Sequence, residues 1–77
     1  MTSQAKEFIK EVQHKYGPYP SRLDDNYNII VTYSGKEYTV AKSIILKYYE
    51  EYRTSSAPRD IVINRIICEI TSILEGR

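Results

Sequence analysis

At 77 residues the chain has room for one hydrophobic core, because domains this short bury only a little over half of the surface their unfolded chains expose; one domain over residues 1–77 is expected. Eight tyrosines, one phenylalanine and an isoleucine-heavy aliphatic set exclude a disordered chain. Eleven Lys and Arg against ten Asp and Glu leave a net charge of +1, balanced along the chain, so the overt basic block used by phosphate-driven nucleic-acid binders is missing.

The first helix is predicted over residues 3–16. Ala5, Phe8, Ile9, Val12 and Tyr16 recur at steps of three and four, drawing one apolar stripe, and Thr2 or Ser3 can cap its start. Glu7 with Lys10 and Glu11 with Lys15 stand one turn apart on the outer surface in the acid-before-base order that supports a helix. Gly17, Pro18 and Pro20 then end it, since proline lacks an amide donor and drives the residue before it to extended geometry. Residues 17–26 read as a connector, with Asp24, Asp25 and Asn26 as turn formers.

A β-hairpin is predicted over residues 28–40. Ile29, Val31 and Tyr33 alternate with Ile30 and Thr32, Ser34 and Gly35 interrupt, and Tyr38 and Val40 alternate with Glu37 and Thr39. A two-residue turn at Ser34-Gly35 sets Val31 opposite Tyr38 and Ile29 opposite Val40, which makes one face wholly apolar. The second helix, residues 42–53, carries Ile44, Ile45, Tyr48, Tyr49 and Tyr52 on a broad stripe. Thr54, Ser55 and Ser56 break it, and Ser55 or Ser56 is expected to cap a third helix over residues 58–75. That helix buries Ile61, Val62, Ile63, Ile66, Ile67, Cys68, Ile70, Ile73 and Leu74 and ends at Gly76; a short third strand over residues 60–64 is the weaker alternative. The fold class is therefore α+β, a small single domain in the order helix, β-hairpin, helix, helix, with the hairpin's apolar face packed under the second and third helices.

Chemistry is harder to find. Zinc needs clustered Cys and His at short intervals, and the chain has one of each, His14 and Cys68, on different helices. His14 falls on the polar side of its helix, and Cys68 reads as a small buried hydrophobe rather than a reactive thiol. Asp24 and Asp25 have no second acidic cluster for calcium and suit local backbone hydrogen bonds. No glycine-rich elbow or phosphate loop surrounds any serine, threonine or cysteine, so neither an enzyme nor a cofactor is expected. The single cysteine and the absence of a long apolar run argue for a cytoplasmic protein held together by neither disulfide nor metal.

Two binding functions are consistent with these residues. The first is a protein–protein interaction module of inhibitor or adaptor type, with Tyr19, Tyr27 and Tyr49 as anchors, because tyrosine offers a large apolar ring with a polar tip. The string Ile29-x-Val31-x-Tyr33-x-Gly35-x-x-Tyr38-x-Val40 leading into a helix resembles the opening of BTB/POZ-type interaction domains, over about a third of the chain, with Ala41 where many such domains have histidine. That resemblance implies a protein partner and assigns no binding residue. The second is a DNA-binding transcriptional regulator of ribbon-helix-helix or winged-helix type, using Arg59, Asn64 and Arg65 on the last helix with Lys42, Lys47 and Arg53 alongside. Glu37, Glu50, Glu51 and Asp60 interleave with those cations, which favours the first reading. A homodimer suits either, since small domains often complete their core by self-association.

Overall fold

The computed structural model of the protein describes residues 1–76. Its elements run α1 (Ser3–Lys15), β1 (Ser21–Leu23), β2 (Ile29–Tyr33), β3 (Lys36–Val40), α2 (Lys42–Thr54) and α3 (Arg59–Glu75). The three strands form one antiparallel sheet in the order β1-β2-β3, so β3 has a neighbour on one side only. The α+β order of helix, hairpin, helix, helix predicted above is the observed one, and residues 60–64 belong to α3 rather than to a strand. No helix among the described residues is long and apolar enough to cross a membrane.

The hairpin follows its residues closely. Ser34 and Gly35 adopt φ of 54° and 77°, the paired positive values of a type I′ turn, whose twist matches that of the strands it joins. Val31 accordingly faces Tyr38, and Ile29 faces Val40. The face is less uniformly covered than expected. Ile29 and Val31 are fully buried, whereas Tyr38 is 40% exposed and Val40 half-buried, because β2 lies centrally and β3 at the edge.

The connector is the main departure from expectation. Ser21, Arg22 and Leu23 fold back as β1 against Val31, Ile30 and Ile29. What turns the chain is Asp24, whose Oδ1 accepts from the backbone N–H groups of Asn26 (2.9 Å) and Asn28 (2.8 Å), while its own N–H donates to the Asn28 carbonyl at 3.0 Å. This local bonding holds Tyr27 at φ 63°, a left-handed conformation that costs a side-chain-bearing residue about 1–2 kcal/mol. Asn28 continues the relay: Nδ2 donates to Asp24 Oδ2 at 3.1 Å, and Oδ1 accepts from the Lys42 backbone N–H at 3.0 Å. It thereby caps α2 from 14 residues away, where Ala41 has no side chain to do so.

All three helices share one core with the inner face of β2. Phe8, Ile9 and Val12 of α1, Ile45 of α2 and Ile63 and Ile66 of α3 are fully buried around Ile29 and Val31. The packing expected for α2 and α3 thus includes α1, whose three fully buried side chains each contribute about 1.5–3 kcal/mol. Thr2 caps α1, its Oγ1 accepting from the Ala5 N–H at 3.1 Å.

Three expectations for α3 need correction. Its start is not capped by Ser55 or Ser56: Pro58 stands at the cap, and Ser55 Oγ accepts instead from the Ala57 N–H within the loop. Cys68 is exposed, because it lies about 160° around the helix from Ile66. Ile61 and Ile73 are also exposed, at 50% and 61%, for different reasons. Ile61 faces outward, whereas Ile73 lies on the inner stripe at a point where the described residues leave it mostly uncovered.

Candidate functional site

The inner stripe of α3 is longer than the layer beneath it. Ile66, Ile70 and Ile73 fall within about 60° of one another around the helix. Exposure along that stripe rises from 0% at Ile66 and 2% at Ile70 to 61% at Ile73. The uncovered end forms one wall of an apolar groove of about 140 Å³. Tyr38 and Val40 of β3 and Ile44 and Tyr48 of α2 supply the other walls, and Glu69 is the one charged residue in the lining. An apolar cavity of roughly 150 Å³ accepts a benzene-sized group, so this groove suits one aromatic or branched aliphatic side chain.

The groove opens beside the free edge of the sheet. Lys36, Glu37, Tyr38 and Thr39 are exposed, and the edge offers unpaired backbone donors and acceptors. Behind Tyr38 lies a row of rings. Tyr33 stands 6.3 Å from Tyr38, and Tyr19 packs edge-on against Tyr33 at 4.8 Å, with its hydroxyl donating to Glu75. On the opposite face of the sheet Arg22 pairs with Glu37 at 3.4 Å, bridging β1 to β3 across the central strand.

The tyrosines predicted as anchors lie elsewhere. Tyr49 is buried and is not available to a partner; it packs against Phe8 at 5.2 Å, because the stripe of α2 turns it inward toward α1. Tyr27 is half-buried beneath Lys6, whose Nζ lies 5.4 Å from the ring centre. Tyr19 is half-buried in the aromatic row and contributes from behind the groove rather than at its mouth. Tyr38 and Ile73, which the sequence pattern turns toward the core, are the exposed apolar residues of the groove. Alternation and helical spacing identify the inward face of an element, but not where its covering partner stops.

Of the predicted basic residues, Arg53 and Arg59 line one shallow depression with Tyr49 and Tyr52, but the set is not gathered into a single surface. Arg59 is drawn inward: its Nε donates to Glu11 Oε1 at 2.6 Å, and its guanidinium lies 5.1 Å from the Phe8 ring and 5.7 Å from that of Tyr52. The Arg59 hydrogen bond holds the Glu11 carboxyl below its usual range against a smaller opposing effect of burial, with Lys15 assisting at 3.1 Å. Arg53 pairs with Glu50 at 3.4 Å and lies over Tyr49, while Lys47 lies 5.9 Å from the Tyr48 ring on another side of α2. Lys42 is half-buried at the start of that helix, and Asn64 and Arg65 are exposed on α3, with Arg65 sharing a depression with Glu51.

His14 is exposed on α1, and no group of three His, Cys, Asp or Glu side chains comes together to hold a metal among the described residues. Compared with protein-family models, curated proteins and solved structures, the chain matches none. The likeness of its hairpin to the opening of BTB/POZ-type domains therefore rests on that string of residues alone.

Proposed function

We propose that the chain is a non-enzymatic protein–protein interaction module that docks an extended segment of a protein along β3, with one apolar side chain of that segment seated in the groove. Ile73 carries this reading. It lies about 20° around α3 from fully buried Ile66, yet it stands 61% exposed beside an open strand edge. A strand added to such an edge gains affinity from main-chain hydrogen bonds and specificity from pockets for its alternate side chains, and edge plus groove supply both. The module acts in the cytoplasm, where the lone exposed Cys68 stays reduced.

DNA binding by the last helix has less to rest on. Arg59 is engaged by Glu11 and Arg53 by Glu50, so their charge is already answered within the domain.

The test is fluorescence anisotropy with a labelled extended peptide of alternating apolar and polar residues that carries one central aromatic side chain, run beside a labelled DNA duplex at increasing salt. Saturable peptide binding that weakens about tenfold or more in Ile73→Glu, with an unchanged circular-dichroism spectrum, is expected for an anchor pocket. A monomer that takes no peptide overturns the reading, and duplex binding that falls steeply with salt in its place favours the DNA-binding alternative.

A further inference from the structure

We propose that the strand docking on β3 is β3 of a second copy of this chain, the two pairing antiparallel about Tyr38 to join two three-stranded sheets into one of six strands. The proposal rests on the docking reading above and names its partner.

The hairpin turn fixes which backbone groups are available. In a two-residue hairpin the residues flanking the turn form a hydrogen-bonded pair, here Tyr33 and Lys36, and such pairs recur at every second position. Lys36, Tyr38 and Val40 therefore spend their backbone groups on β2, and those of Glu37 and Thr39 point outward from the edge. A two-fold axis through Tyr38 brings Glu37 opposite the partner's Thr39, and Thr39 opposite the partner's Glu37. Two hydrogen-bonded pairs form, and every residue of β3 finds a mate.

Other two-fold registers are worse. Centring on Glu37 sets that carboxylate opposite its own copy, and like charges directly opposed are destabilising. Centring on Thr39 moves the axis off the middle of β3 and leaves both Lys36 and Glu37 without a mate in the strand. Registers one residue away from these would place opposite faces of the sheet together, which the two-fold axis forbids.

Side chains favour the same register. Tyr38 and the partner's Tyr38 fall in a non-hydrogen-bonded pair, where side chains approach most closely. Both grooves then open toward each other on the helix-bearing side of the joined sheet, and Ile73 gains the cover it lacks. Charge is complementary as well. Lys36 comes opposite the partner's Val40, which lines the same groove as the partner's Glu69. Neither Lys36 nor Glu69 has an ion pair among the described residues, so two symmetric pairs can form at no cost to existing ones. A standard interface covers about 800 Å² a side, and the monomer exposes 4907 Å². A five-residue ladder is too small for that alone, so the meeting grooves must supply much of the contact.

The test is sedimentation equilibrium of the full chain from micromolar to millimolar concentration, with hydrogen exchange followed at both ends of that range. A monomer–dimer equilibrium is expected, with the Glu37 and Thr39 amides gaining protection as the dimer forms while the Tyr38 amide, already bonded to β2, changes little. Thr39→Pro removes only an outward N–H, which an edge strand tolerates, and is expected to leave the fold intact and weaken the dimer at least tenfold. Lys36→Glu and Glu69→Lys are each expected to weaken it by about threefold to fivefold, and the double variant to restore it. A chain that stays monomeric throughout, or a dimer indifferent to Thr39→Pro, overturns the proposal. A monomer that still takes the extended peptide of the preceding section overturns self-pairing alone, whereas a monomer that takes no peptide overturns both readings.

Discussion

Arg59 Nε donates to Glu11 Oε1 at 2.6 Å, tying the first turn of α3 to the third turn of α1 across 48 residues of chain. The same guanidinium lies over the rings of Phe8 and Tyr52, so one side chain closes the seam between the first and last helices by charge and by ring contact together. Two long side chains are otherwise hard to hold in one geometry. Here the rings beneath and Lys15 beside Glu11 limit the freedom of both.

Arg59→Ala is expected to lower the stability of the domain by about 1–2 kcal/mol, the combined scale of a partly exposed ion pair and a cation–π contact. Arg59→Lys keeps the charge but loses the planar fork and the stacking, and is expected to recover less than half of that loss. Urea unfolding followed by circular dichroism measures both. A neutral Arg59→Ala would show that the seam is held by the apolar core alone.

Stability is expected to fall with acid below about pH 4.5, the ordinary range of carboxyl groups. Asp24 is held below its usual value chiefly by the Asn28 backbone N–H, and Glu11 by Arg59. A carboxyl depressed in the folded state binds its proton more readily when unfolded, so its contribution is present above the unfolded value and is lost as pH falls through the folded one. Glu11→Gln is expected to flatten part of this dependence while lowering stability at neutral pH. Thermal melts between pH 2.5 and 7 test it, and an unchanged slope in Glu11→Gln would remove Glu11 from the account.

The relay through Asn28 was the least legible part of the fold. Ile29 to Val40 declares its register because a positive-φ turn and strict alternation agree, and α1 declares its face because its polar side is continuous. β1 has three residues, too few for alternation, and exists because Asp24 collects two backbone N–H groups and turns the chain back. In α3 the apolar residues spread most of the way around the helix, with Ile61 and Cys68 on the side opposite Ile66, so periodicity cannot choose a single face, and both of these point out. The groove itself is a property of where β3 ends beneath α3, and no single segment encodes that.

Asn28→Ala is expected to cost about 1–2 kcal/mol, because it strips a cap from α2 and a partner from Asp24 at once. Asn28→Asp restores an acceptor for the Lys42 N–H but sets a second carboxylate against Asp24, and is expected to be worse above pH 5 than below pH 4. Chemical unfolding at the two pH values distinguishes loss of the cap from charge repulsion.

Ser34→Asn is expected to stabilise the hairpin by about 0.5 kcal/mol, because Ser34 holds φ 54° and asparagine tolerates the left-handed region better than serine does. Gly35→Ala should have the opposite sign. Nothing lies within 4 Å of the added carbon, so its cost reports the backbone conformation at φ 77° rather than crowding. Melting temperatures of the two variants are expected to move in opposite directions from that of the parent chain.

Ile70 and Ile73 share one stripe of α3 but differ in cover, 2% against 61% exposed, and this separates stability from docking. Ile70→Ala leaves a void in the closed part of the core and is expected to cost about 2–4 kcal/mol. Ile73→Ser removes a side chain that water already reaches, so its effect on stability at low micromolar concentration is expected to stay within about 0.5 kcal/mol. At concentrations where a partner occupies the groove the order changes: Ile73→Ser loses the linkage stabilisation that a bound partner gives, and its melt stops depending on concentration. Melts of both variants at two concentrations a hundredfold apart test this. A large loss in Ile73→Ser at the lower concentration would mean that Ile73 is already covered within one chain.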